Sequence, residues 1–152
     1  MNTLSSITDK SNINEEADLI GFCFPVYAFG IPRIYRKYLL SLPKFKNPIS
    51  TFVLITEGDS DESGFSVKEI TKILNKKGLN VTYSNVIQMH INWTVSMNPP
   101  SKEETQLIIN SAVTKSKEIA QDILNDVHHH VFYYPSRIVN LVSIKIIICS
   151  NG

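Results

Sequence analysis

Cysteine is scarce in this 152-residue chain: only Cys23 and Cys149 occur. Two residues that far apart make no disulfide framework. With no Cys-x-x-Cys, the chain supplies no ligand set of its own for an iron–sulfur cluster or a structural zinc. An excess of one charge is also lacking. The net charge is +1, and the Lys and Arg residues are spread along the sequence. That gives no electrostatic reason to expect nucleic acid as a partner. A membrane-spanning run is missing as well. The longest apolar tract, Ile138–Cys149, is 12 residues long and is interrupted by Asn140, Ser143 and Lys145. A bilayer needs roughly 20. The N-terminus, MNTLSSITDKSNINEE, has no apolar core of a signal peptide. The cytoplasm is therefore the default compartment, and the sequons at Asn80 and Asn92 read as chance. No G-x-S-x-G, Walker loop or G-x-G-x-x-G is present. These absences remove a nucleophile elbow, a P-loop and a dinucleotide fingerprint.

What is present belongs to a folded α/β protein. The chain is 43% apolar and 19% charged, a soluble globular balance. Leu19–Pro25 is a continuous apolar run, which predicts a strand covered on both faces as in parallel sheets. Within it Cys23 reads as a small buried core residue. Pro32 opens a helix carrying Ile34, Tyr35, Tyr38, Leu39 and Leu42 at helical spacing, and Pro43 and Pro48 bracket the exit. Thr51–Thr56 predicts a second buried strand. Ser66 and Glu69 have capping-box spacing ahead of Val67, Ile70, Ile73 and Leu74. Lys76-Lys77-Gly78 supplies the cations and the glycine of a helix end. Leu79–Ile87 predicts a third strand. A loop with Trp93 follows, and Ser101 with Glu104 forms a second capping box. The helix from Lys102 to about Asp126 would turn Ile108, Ala112, Ile119, Ile123 and Val127 inward. Alternating strand and helix predicts a parallel, doubly wound sheet.

Two loops carry candidate chemistry. Pro25-Val26-Tyr27-Ala28-Phe29-Gly30 leaves the carboxyl end of the first strand. Tyr27 and Phe29 can stack on a planar ligand, and Gly30 lets the backbone approach it closely. On spacing alone the plainer reading is a strand-to-helix turn whose aromatics cover the core. Thr56-Glu57-Gly58 leaves the second strand beside the same crevice, offering a hydroxyl and a backbone amide. The alternative there is a solvated acidic turn running to Gly64. Asp59, Asp61, Ser63 and Gly64 mimic the start of a calcium loop, but its twelfth position is Ile70 instead of Glu. His128-His129-His130 reads as a polar helix end, because neighbouring side chains diverge and no further ligand completes a set. His90 reads as structural.

Ala17–Pro32, ADLIGFCFPVYAFGIP, closely resembles the flavodoxin-like domain of the EFR-type ferredoxin family, in which that domain precedes one with two iron–sulfur clusters. The resemblance continues through Phe52–Gly58, Val86–Asn92 and Pro99–Glu104, covering about residues 13–127. It implies strand order 2-1-3-4-5 with FMN at the switch point, the Tyr27 loop on the isoalloxazine and the Thr56–Gly58 loop along its polar edge. Glu57, Asp59, Asp61 and Glu62 would then repel the reduced, anionic flavin and lower its potential. The implied role is electron transfer to a redox partner protein or iron–sulfur domain. Residues 1–16 then read as a flexible lead-in, 17–127 as a partial domain and 128–152 as a tail. The family's first strand and its phosphate-cradling loop have no counterpart before Ala17, and its cluster domain has none after the tail. A non-catalytic remnant or interaction module without cofactor is therefore the alternative, and an FMN-using reductase of the same fold is a third. Loss of a central strand would bare neighbouring edges. The tail from Val139 to Cys149 would cover one of them or drive self-association.

Overall fold

The computed structural model describes residues 13, 16–26, 30–58, 64–90 and 100–131. Three strands and three helices alternate: β1 (Leu19–Pro25), α1 (Arg33–Ser41), β2 (Ile49–Glu57), α2 (Gly64–Lys76), β3 (Leu79–Gln88) and α3 (Lys102–Leu124). The strands form one parallel sheet in the order β1-β2-β3. Parallel neighbours need crossovers, and here these are helical. This is the α/β arrangement the sequence predicts.

Each face of the sheet has its own core. Phe22, Phe24, Val53, Ile55, Leu79 and Val81 pack with Leu39 of α1 and with Val67, Ile70 and Leu74 of α2. Tyr83 and Ile87 pack on the other face with Ala112 and Ile119 of α3, flanked by Phe52, Leu54 and Ile123. Val53, Ile55, Ile70, Leu74 and Leu79 are fully buried. Each contributes roughly 1.5–3 kcal/mol by leaving water.

A one-residue slip divides β3 between these cores. Thr51 pairs with Val81, but Phe52 pairs with Tyr83, so Thr82 is passed over. The extra residue turns Tyr83 to the α3 side while Val81 stays on the α1–α2 side, as a bulge does. Past α3 the chain returns to the outer edge of β3. His129 bridges Tyr83 in parallel, with Ser84 N donating to His129 O at 2.7 Å and His129 N donating to Thr82 O at 3.2 Å. The histidine run is thus not a helix end, since α3 stops at Leu124 and Asp126 adopts φ +53°.

The helix ends are held by particular groups. Leu42 precedes Pro43 with ψ 141°, outside the helical range that a following proline disfavours. The carbonyls of Leu40 and Leu42, orphaned at the end of α1, accept from Lys77 Nζ at 2.7 and 2.5 Å. Gly78 has φ +85°, and its amide side faces Phe45 so closely that a Cβ would lie 2.7 Å from the Phe45 carbonyl oxygen. At α3 the capping box forms: Ser101 Oγ accepts from Glu104 N at 3.1 Å, and Ser101 N donates to Glu104 Oε2 at 2.8 Å.

Four expectations are corrected. The Ser66–Glu69 box does not form. Ser66 lies inside α2, fully buried, and Glu69 pairs instead with Arg36 of α1 at 2.8 Å. Among the described residues β1 is covered on one face only: its burial alternates, and Leu19, Gly21 and Cys23 are exposed on the α3 side. Cys23 is accordingly a surface residue. Val127 is exposed, since it lies beyond the end of α3.

Candidate functional site

The carboxyl ends of the three strands line up along one margin of the sheet. Pro25 stands opposite Thr56, Thr56 opposite Ile87, and Glu57 opposite Gln88. Two hydrogen bonds extend the ladder past the strands. Val26 N donates to Thr56 O at 2.9 Å, and Met89 N donates to Glu57 O at 2.7 Å. Pro25–Val26, Thr56–Gly58 and Gln88–His90 therefore stand side by side. This is the margin at which parallel α/β sheets receive ligands, because loops diverge there and leave a crevice.

The strand period decides where these side chains go. Glu57 continues the series Ile49, Thr51, Val53 and Ile55 toward the α1–α2 side and is only 4% exposed. It is a buried carboxyl at a strand end, not part of a solvated turn. Thr56 points to the opposite side and is half-buried, as are Pro25, Gly30 and Gly58. Val26 packs against the core of the α1–α2 face. After Gly30 the chain enters α1 through buried Ile31 and Pro32. Tyr27, Ala28 and Phe29, the stacking residues of the first loop, lie outside the described residues, as do residues 59–63 of the second.

Two features were missed in the sequence. The Phe24 and Tyr35 rings lie 5.3 Å apart at 37°, joining the end of β1 to the first turns of α1. Phe24 followed by Tyr35 eleven residues on, across a strand and a helix start, gives no local signal of that contact. The third strand end, Gln88-Met89-His90, completes the margin. It could have been found by extending to β3 the logic applied to the first two strands. His90 is half-buried with its Nδ1 enclosed and, among the described residues, without a hydrogen-bond partner.

Cys23 supplies no reactive thiolate. The residue is exposed overall, yet protein around the sulfur pushes the thiol pKa up, so it stays protonated at neutral pH. Among the described residues no group of three His, Cys, Asp or Glu side chains could hold a metal ion. No described helix is long and apolar enough to cross a membrane. The margin thus offers backbone groups, one hydroxyl, a buried carboxyl and an imidazole.

No family model matches the sequence. No curated protein matches it. Among solved structures the chain is similar to one described as an NADPH-quinone reductase from P. pentosaceus, at 14% identity and a TM-score of 0.34, covering 71% of this chain and 83% of that one. A likeness of that degree bears on neither the chemistry nor the ligand. The architecture rests instead on the sheet's own register and on its two covered faces.

Proposed function

We propose that this chain is a flavodoxin-like electron-transfer module whose sheet margin receives the isoalloxazine ring of FMN. The observation that carries the reading is the pairing of Pro25–Val26 with Thr56–Gly58 at the carboxyl ends of adjacent parallel strands, fixed by the Val26 N–Thr56 O hydrogen bond. That sets Pro25–Val26, where the first loop begins, beside Thr56, where the second begins. Bound FMN would supply one- or two-electron transfer, with a redox protein or iron–sulfur domain as partner.

The described residues fit the ring end of such a ligand. Thr56 can donate its hydroxyl and Gly58 its amide to the polar edge, while Pro25 and Gly30 frame the loop that would face the ring. The Glu57 carboxyl is buried on the opposite side of β2 from the Thr56 hydroxyl. The phosphate end is different. A phosphate is held where several backbone amides converge at a helix N-terminus, and among the described residues no glycine- or serine-rich turn of that kind precedes β1. Ring contacts alone bind less tightly than ring and phosphate together, since each charge-assisted hydrogen bond to a phosphate is worth roughly 1.5–3 kcal/mol.

Titration of the purified chain against FMN, followed by flavin fluorescence, tests this. Saturable quenching that weakens in Thr56→Val supports the reading. Unquenched fluorescence at millimolar protein refutes it and favours the interaction module, for which the bare α3 side of β1 is the specific observation.

A further inference from the structure

The α3 side of the sheet is only partly roofed. α3 seats Ala112, Ile119 and Ile123 over Phe52, Leu54, Tyr83 and Ile87, which belong to β2 and β3. Among the described residues nothing roofs β1 on this side, where Leu19 is 42% exposed and Gly21 and Cys23 are exposed beside it. The Phe52 ring fills the space above Gly21, since a Cβ there would meet it at 2.0 Å. The roof is apolar on the flank above this floor. Asp122 accepts a hydrogen bond from Tyr83 at 2.9 Å and so marks the flank over β3. At about 100° per residue, Ile109 and Val113 fall on the other flank, the one toward β1. They are 40% and 49% exposed. Leu19, Gly21 and Cys23 as floor, with Ile109 and Val113 as wall, make an open apolar groove. Parallel strands are normally buried on both faces.

We infer that this groove is the seat of the chain's own segment Ile138–Cys149. The last described residue, Val131, is tied to the sheet, its amide donating to Ser84 Oγ at 3.1 Å. That position lies on the outer edge of β3, so β1 is three strand spacings away, about 14 Å. The six residues 132–137 reach about 20 Å when extended, enough to bring Ile138 to the groove. Nine of the twelve residues from 138 to 149 are Ile, Val, Leu or Cys. Residues 1–12 offer only Met1, Leu4 and Ile7 and make a poor cover. The proposal is independent of any flavin.

The two cysteines provide the test, because Cys23 lies on the groove floor and Cys149 ends the segment. The full-length chain at low micromolar concentration is treated with a short bismaleimide and its peptides are mapped. A Cys23–Cys149 link within a monomeric product is expected. A link found only between chains, which would make a second copy the occupant, overturns the proposal, and so does no link. In parallel, alkylation of Cys23 by N-ethylmaleimide is compared between the native chain and the Ile146→Asp/Ile148→Asp variant, with hydrogen exchange of the β2 amides as the folding check. At least tenfold faster alkylation with β2 protection retained supports the seat, and an unchanged rate overturns it. A variant that loses β2 protection leaves the decision to the cross-link in the native chain.

Discussion

The amide of Val26 donates to the carbonyl of Thr56 at 2.9 Å, one residue past the end of β1. Two strand ends that are 30 residues apart in sequence are therefore joined. The bond uses the Thr56 backbone and leaves its hydroxyl for other work.

That separation makes the proposed flavin site testable in two steps. Thr56→Val keeps the carbonyl and removes the hydroxyl. FMN affinity is expected to fall about 2- to 10-fold, the worth of one neutral hydrogen bond, with an unchanged urea midpoint. Val26→Pro removes the donor itself. It should lower stability by about 1 kcal/mol and abolish quenching, because the two loops part. Equal FMN affinity in all three proteins would remove this margin from the site.

Gly21 is held by contact alone, since its φ is unremarkable while Phe52 occupies the place of a side chain. Gly21→Val should cost about 1–3 kcal/mol as the ring is displaced. Gly21→Val combined with Phe52→Leu should recover part of that loss. Chemical denaturation of both variants checks the pair, and a double mutant no more stable than the single would show that Phe52 is not the obstacle.

Lys77 and Gly78 act together at the α2–β3 turn. Gly78→Ala meets both a left-handed φ and the Phe45 carbonyl, so a loss above about 1 kcal/mol is expected. Lys77→Met strands the Leu40 and Leu42 carbonyls. It should cost about 1–2 kcal/mol, with faster hydrogen exchange confined to the last turn of α1.

Tyr83 brings a pH dependence. Burial raises its hydroxyl pKa most. The Asn85 hydrogen bond opposes this, and the hydrogen bond and charge of Asp122, with the charge of Glu118, add to it. A tyrosine raised above its unfolded value of roughly 10 stabilises the fold fully below that pH. Its contribution is lost as pH rises through the folded pKa. Stability should thus drop above pH 10, and Tyr83→Phe should flatten that drop while costing about 1 kcal/mol at neutral pH from the Asp122 and Asn85 groups left unpaired. Identical alkaline profiles would assign the drop elsewhere.

The strands were legible because a run such as Leu19–Pro25 or Thr51–Thr56 has few other uses in a short α/β chain. Which faces they bury was less so. An apolar run reads the same whether one side or both are covered, so the exposure of Cys23 had no local sign. The Ser101–Glu104 box was read correctly and the identical spacing at Ser66–Glu69 was not. There a distant residue, Arg36, competes for the glutamate, and the helix has already begun. The slip at Thr82 follows from how β2 and α3 together place Tyr83, which no window of β3 contains. At the site, the pairing of Pro25 with Thr56 was foreseeable from two successive parallel strands. The burial of Glu57 was not, because its alternation with Ile55 continues one residue further than the apolar run.

One amine fastens the end of α1 to the start of β3, and an amine is a group that chemistry in solution can reach. Acylation of Lys77 would erase the charge and leave a single N–H where two carbonyls now converge. The first crossover would then loosen at its exit while the strand ends stay in register, so covalent labelling at one nitrogen would free the last turn of α1 and leave the core beneath it closed.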